Sequence, residues 1–215
     1  MRKMGAESPV NYQKEMERII RLHEEKGEVL QLLLHSCCGP CSTSVIEQLS
    51  EYFRIQVFYY NPCIGPEEEY LLRKREQKRF LTEYRGEHPV ILQEAPYDSE
   101  QFYEAVKGLE SAEEGGERCR ICFEQRLRKT AEWAAAHSYP YFTTTLSVSP
   151  HKNARQINEI GQRLAKEYEG AGIRWLPSDF KKKNGYFHSV ELARQYGLYR
   201  QDYCGCIFSK RRIGN

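Results

Sequence analysis

Three cysteines crowd into the turn HSCCGPCS, at Cys37, Cys38 and Cys41, and five more stand at Cys63, Cys119, Cys122, Cys204 and Cys206. Clustered thiols in a reducing compartment point to metal ligation or catalysis rather than to structural disulfides. Adjacent Cys37 and Cys38 would face opposite ways in a strand, but in a turn both can converge on a polynuclear centre. In RCRICF, Cys119 and Cys122 are one helical turn apart and share a face, beside Arg118 and Arg120 at a positive helix end that favours thiolates. Together the two groups supply at least four thiolates, enough for zinc or for an iron–sulfur cluster. The vicinal pair fits poorly with zinc-finger spacings, which favours iron–sulfur. Cys41 is then a surplus thiolate that could bind a second iron, replace a ligand or cap the following helix. Cys63, in NPCIGP, reads as incidental. In YCGCIF a glycine separates Cys204 from Cys206, so a disulfide between them would be strained and easily reduced. That suggests a redox-active dithiol; two more metal ligands is the alternative.

The elements that position these thiols alternate along the chain. An amphipathic leading helix lies in NYQKEMERIIRLHEEKGE, with Met16, Ile19, Ile20 and Leu22 near helical spacing. Strands are expected at VLQLLLH, IQVFYYN, HPVILQEA, YPYFTTTL and GIRWLP. Helices are expected at CSTSVIEQLSEYF, about Glu67 to Tyr84, DSEQFYEAVKGL, RCRICFEQRLRKTAEWAAAH, ARQINEIGQRLAKEY and HSVELARQYGLY. Alternation of this kind predicts a single-domain, Rossmann-like α/β fold with a mostly parallel sheet of about five strands flanked by helices. A relationship to nucleotide-binding α-hydrolase-like folds is expected. Residues 1–28 read as a helical extension, and residues 199–215 as a redox-active tail. Ligands in such sheets bind at the carboxyl ends of strands, where HSCCGPCS, YYNPCIGP and TTTLSVSPHKN all sit.

At 215 residues the chain suits one core, and 40% hydrophobic with 29% charged residues is ordinary globular composition. The first residues, MRKMGAESPV, lack the apolar region of a secretory signal, and no apolar run reaches the length of a membrane span. A cytoplasmic location and no membrane partner are expected. The net charge is only +2, but basic groups gather in Arg73–Arg79, Arg126–Lys129, Lys181–Lys183 and Lys210–Arg212, and acids in Gly108–Glu117. Such segregation could face a phosphate backbone; solvated helix faces of mixed charge are the plainer reading.

As a whole the pattern resembles the epoxyqueuosine reductases of the QueH family. The resemblance rests on NYQK, LLLHSCCGPCS, YYNPCIGPEEEY, GGERCRICFEQRL, FTTTLSVSPHKN and GLYRQDYCGCIFSK, in that order. Cys63 departs from it, since asparagine is expected there. The resemblance implies removal of the epoxide oxygen from epoxyqueuosine at the wobble position of tRNA. It implies a 4Fe–4S cluster on Cys37, Cys38, Cys119 and Cys122, and Cys204 and Cys206 as the redox pair. Cys41 lies where a ligand to an additional mononuclear iron would be sensible.

Within that reading His35, Tyr203 and His151 are candidate proton donors, although His35 ends an apolar strand and suits a structural role equally. Asp98 and Asp179 could ligate iron or position water, and each could equally cap a helix or turn. Tyr199, Arg200 and Tyr203 suit an extruded base, while Lys181, Lys182, Lys183 and Arg118 could hold RNA phosphates. An external electron donor of unknown identity is required; the oligomeric state is left open, and a monomer is plausible. Two other readings compete. An ATP-dependent tRNA-modifying enzyme would share the strand–turn–helix start, yet Gly39 stands without a GxGxxG or Walker pattern. A zinc-stabilised RNA-binding module explains the cysteines but not the separate CGC pair.

Overall fold

The computed structural model describes residues 10–210; Arg211 and Arg212 of the basic tail, like the first nine residues, lie outside the described residues. Five strands form one parallel sheet: β1 (Leu30–His35), β2 (Phe53–Tyr59), β3 (Ile91–Glu94), β4 (Tyr141–Thr144) and β5 (Arg174–Trp175). Their order is β3-β2-β1-β4-β5, so the chain winds outward from β1 in one direction and then returns to its other side. This reversal opens a crevice above the carboxyl ends of β1 and β4, the place where open α/β sheets bind ligands. The expected single Rossmann-like α/β architecture is what the structure has.

The helices are α1 (Tyr12–Glu24), α2 (Gly39–Leu49), α3 (Glu67–Glu83), α4 (Ser99–Ala105), α5 (Glu117–Ala136), α6 (Ala154–Glu167), α7 (Gly185–Gln195) and the short α8 (Ile207–Lys210). Strand alternation divides the core. Leu32 and Leu34 of β1 face a cluster with Met16, Val45, Phe53 and Phe80, on the side of α1, α2 and α3. Leu33 faces Phe123, Leu127, Phe142, Ile157 and Trp175, on the side of α5 and α6. Burial on both faces explains why β1 is an apolar run rather than an alternating one. Helix α1 belongs to the core through Met16 and Ile20, whereas Leu22 is exposed.

Some elements stop short of their sequence patterns for local reasons. After Thr144 the chain enters a 3₁₀ turn, Thr145–Val148, because the Thr144 hydroxyl accepts from the Leu146 N–H. Helix α4 ends at Ala105, and Gly108 turns the chain with φ of +82°. Strand β5 lies at the sheet edge and holds two residues, with Pro177 following soon after. No helix among the described residues is long and apolar enough to cross a membrane.

The basic runs prove to be of mixed charge. Lys74 and Lys78 both meet Glu94, Arg128 meets Glu124 and Glu167, and Lys183 meets Glu17.

Candidate metal and redox site

The HSCCGPCS turn leaves β1 and enters α2 with Cys38 as an extended N-cap residue and Pro40 in the first turn. Around it the backbone is pinned from several directions. Ser36 and Ser42 donate to the Gln77 Oε1 of α3 at 2.6 and 3.0 Å, and Asn61 Nδ2 donates to the Ser36 carbonyl at 2.8 Å. The pinned turn gathers Cys37, Cys38 and Cys41 so that their sulfurs lie within 4.8 Å of one another. This is the sole group among the described residues in which three or more metal-ligating side chains converge in that way. The Cys37 thiol is held well below the usual range by hydrogen bonds from Cys38 and Cys41, while Cys38 is pushed up to about 12 by the same sharing. The Thr145 hydroxyl also donates to Cys37 Sγ, at 3.4 Å. Gln201 Nε2 reaches Cys38 Sγ at 3.2 Å from the C-terminal segment.

A second set of thiols faces the same crevice from α5 and the tail. Cys119, Cys122, Cys204 and Cys206 line a small apolar cavity. It adjoins a cleft of about 360 Å³ lined by Cys37, Cys41 and Cys204, and Glu114, Arg126, His151 and Lys152 border both. Cys119 accepts from the Gly115 N–H at 3.2 Å at the start of α5. Burial pushes the Cys206 thiol up to about 11. Cys63, read from sequence as incidental, is buried beside Cys122 and Cys206. Its thiol shares a hydrogen bond with Cys122 that holds Cys63 down to about 6.

Two cations missed in the sequence stand among these thiols. Arg126 is buried and donates to the Cys122 carbonyl and to Asn61 Oδ1. Burial opposes its charge, yet Cys122, Cys63, Cys204 and Cys37 raise its pKa above the ordinary value. Lys152 is raised likewise by Cys204, Cys37 and Cys41 against the effect of burial. Arg126 lies one helical turn after Cys122, a spacing that could have flagged it. Lys152 follows His151 in a loop whose position at a strand end was legible.

The tail is strapped down by α3. Arg73, with a side chain only 2% exposed, pairs with Glu69 at 2.7 Å. It also donates to the carbonyls of Cys204 at 3.2 Å and Tyr203 at 3.3 Å. The Gly65 N–H donates to the Gly205 carbonyl at 2.9 Å. Gly205 has φ of +109°, a conformation that favours glycine, and a Cβ there would come within 2.9 Å of Arg73 Nη1.

The other expected site residues divide between the cleft wall, where Tyr203 and Arg200 lie, and positions held by local structural contacts. His35 is fully buried, with Nδ1 2.8 Å from the Thr144 hydroxyl and Nε2 3.1 Å from the Tyr60 carbonyl. Burial, with Arg126 nearby, pushes it down to about 3, so it stays neutral and structural. The Tyr203 hydroxyl donates to the Gly65 carbonyl at 2.8 Å. Asp98 caps α4 through the Gln101 N–H, and Asp179 pairs with Lys181 at 2.7 Å. Arg118, expected at an RNA surface, is instead turned inward, where its Nη1 donates to the carbonyls of Leu109, Glu110 and Ala112. Tyr199 is held to α3 by Glu69 and Glu76. Arg200 lines the cleft and lies 6.0 Å over the Tyr186 ring.

The donor set fits a metal–sulfur group. Soft thiolates select thiophilic metals. Arg126 Nη2 is buried without a partner, and no carboxylate pairs with Arg126 among the described residues, so the crevice is built to hold negative charge. Fold and site together define a Rossmann-like α/β protein with a thiol-rich, metal-competent centre at its switch point.

The family profile described as "Epoxyqueuosine reductase QueH" matches residues 32–212. A relative so named from Streptococcus pyogenes serotype M1 is 38% identical over 213 residues, 98% of this chain and 82% of the relative. One from Staphylococcus epidermidis is 41% identical over 209 residues, 95% of this chain and 87% of the relative. Another, from Thermotoga maritima, is 32% identical over 181 residues, 83% of this chain and 89% of its own. The chain belongs to the QueH family.

Proposed function

We propose that this chain is an epoxyqueuosine reductase, an oxidoreductase acting on tRNA whose wobble position carries epoxyqueuosine. The observation that carries the reading is that two sets of thiols border adjoining cavities at the sheet's switch point, where Arg126 is buried and without a carboxylate partner among the described residues. Removing an epoxide oxygen breaks two C–O bonds and forms a C=C bond and water, which consumes two electrons and two protons. Cys37, Cys38, Cys119 and Cys122 would hold a 4Fe–4S cluster, and Cys41 would face an additional iron. When bound, that centre supplies one-electron transfer and a Lewis-acid position for oxygen.

The chain's own residues supply the rest. The Cys204–Cys206 dithiol gives two electrons and two protons as it closes to a disulfide, and an external reductant reopens it. Arg73 holds this segment over the cleft, so Cys204 is presented to the substrate while Cys206 stays buried. The Lys152 ammonium lines the cleft and can donate a hydrogen bond to the oxygen as negative charge develops there. The cleft is large enough for a modified base, and Arg200 with Tyr186 offers a stacking surface at its wall. Lys182 is exposed, but it and Lys183, which pairs with Glu17, border a pocket with Glu24, Glu47 and Glu51 rather than the thiol cleft, so a phosphate role for them has no support in their placement.

The direct test is iron, zinc and acid-labile sulfide content after anaerobic purification. About four irons and four sulfides per chain, with about one further iron, support the assignment. One zinc without sulfide, persisting after reconstitution with iron and sulfide, would overturn it in favour of a zinc-stabilised module.

A further inference from the structure

The C-terminal segment meets the thiol turn at Gln201. This residue borders the cleft, and its Nε2 donates to Cys38 Sγ at 3.2 Å. The backbone is fixed on both sides of it. Two residues earlier, the Tyr199 N–H donates to Glu76 at 2.7 Å; two residues later, the Tyr203 carbonyl accepts from Arg73 at 3.3 Å. Both partners belong to α3, which also pins the Cys38 turn through Gln77. One helix thus sets the position of the donor and of the sulfur it meets.

A neutral thiol is a weak acceptor, whereas a metal-bound thiolate accepts a charge-assisted hydrogen bond. Cys38 is 1% exposed and stands in the one group among the described residues where three ligating sulfurs converge. Gln201 Oε1 is buried without a partner, so among the described residues the sulfur is the amide's one polar contact. An amide that only fastened the tail would gain nothing from an unpaired buried oxygen. The bond also has counterparts. Thr145 Oγ1 donates to Cys37 Sγ at 3.4 Å, and the Gly115 N–H to Cys119 Sγ at 3.2 Å. Three of the four sulfurs expected to hold a cluster therefore receive a donor, and the one on Cys38 comes from the segment carrying Cys204 and Cys206.

We propose that Gln201 acts on the metal–sulfur centre through Cys38, as a positioning residue whose amide N–H hydrogen-bonds the Cys38 thiolate and raises the centre's reduction potential. The inference rests on the reading of the thiol crevice as a metal–sulfur centre, and not on the epoxide chemistry. A donated hydrogen bond draws charge off the sulfur, which favours the more negative, reduced state. Electron gain is easier while the Cys204–Cys206 segment is seated against α3.

Redox titration of the full-length protein, reconstituted anaerobically with iron and sulfide and followed by its visible and electron-paramagnetic signals, tests this in Gln201→Leu and Gln201→Lys. Leucine removes the donor, and the midpoint potential is expected to fall by about 59 mV, a tenfold change in the one-electron equilibrium. Lysine keeps a nitrogen donor and adds positive charge, so its potential should lie at or above that of the wild type. A tail that was merely loosened would admit water, which favours the more charged reduced state and raises the potential in both variants. A Gln201→Leu potential at or above the wild-type value would therefore overturn the role of Gln201 and leave the centre standing. So would a fall in Gln201→Lys, which decides the matter if the leucine variant takes up no cluster. Wild-type protein that takes up no iron and sulfide would overturn the metal reading as well.

Discussion

Replacing Arg73 with methionine should free the C-terminal segment that carries Cys204 and Cys206 without dissolving the fold. The side chain is 2% exposed and its partner Glu69 is 12% exposed, so this is a largely desolvated pair. Methionine keeps much of the volume but leaves the Tyr203 and Cys204 carbonyls without their donor, and removes the cation from the Tyr203 ring 5.0 Å away. Glu69 keeps one partner, the Tyr199 hydroxyl at 3.1 Å. Breaking a buried pair by removing one member costs about 3–5 kcal/mol. Most of that should fall on the tail, whose hold on the body runs through Arg73, Gly65, Gln201 and the Tyr199 bonds to Glu69 and Glu76. At about 1.4 kcal/mol per tenfold, the population of tail-open molecules should rise by two to three powers of ten. Amide hydrogen exchange, read peptide by peptide, would show residues 199–210 exchanging about 100-fold faster or more while β1 and β2 keep their protection. Cys204 should alkylate faster in parallel. Lysine at this position keeps the charge but not the two-pronged fork, and should fall between. If exchange in the tail is unchanged, or rises only as much as in the central strands, Arg73 is not the strap described above.

Further expectations follow from the same structure. Asn158, fully buried, accepts from Trp175 Nε1 and the Ser178 N–H, each at 2.9 Å, so Asn158→Ala should lower unfolding free energy by about 2–4 kcal/mol in urea titration. Gly161→Ala would ordinarily stabilise a helix by about 1 kcal/mol, but here the new methyl would overlap the Trp175 ring, so the midpoint should fall instead. His188, paired with Glu47, has a raised pKa because of that hydrogen bond. Its contribution is therefore full below the unfolded value of about 6.5 and is lost as pH rises through the folded value. Both side chains are nearly half exposed, so the effect should stay under about 1 kcal/mol, and Glu47→Gln should reduce that pH dependence, leaving the smaller part due to Glu191.

Much of this arrangement is legible in the chain because its signals are local. Leu32 to Leu34 announce a strand buried on both faces, and a turn of small residues before α2 announces a site at its end. Cys119 and Cys122 announce a shared helix face by their spacing alone. The burial of Cys63 beside Cys122 and Cys206 is not announced, because those cysteines are distant in sequence and near only after β2 and α5 pack together. Arg73 and Arg126 are hidden for a similar reason. Each lies in a basic stretch whose other members are surface ion pairs, and nothing in composition marks the one that turns inward. His35 shows the converse: its position beside the thiols invites a catalytic role, while its two buried hydrogen bonds give it a structural one.

The central claim is tested most directly by turnover. Anaerobically reconstituted protein is incubated with tRNA bearing epoxyqueuosine and a low-potential reductant, and the digested nucleosides are weighed by mass spectrometry. The account predicts conversion to a nucleoside lighter by one oxygen atom, repeated over many cycles by the wild type and lost in Cys204→Ser. Unchanged epoxyqueuosine in the presence of fully loaded protein and active reductant would contradict it.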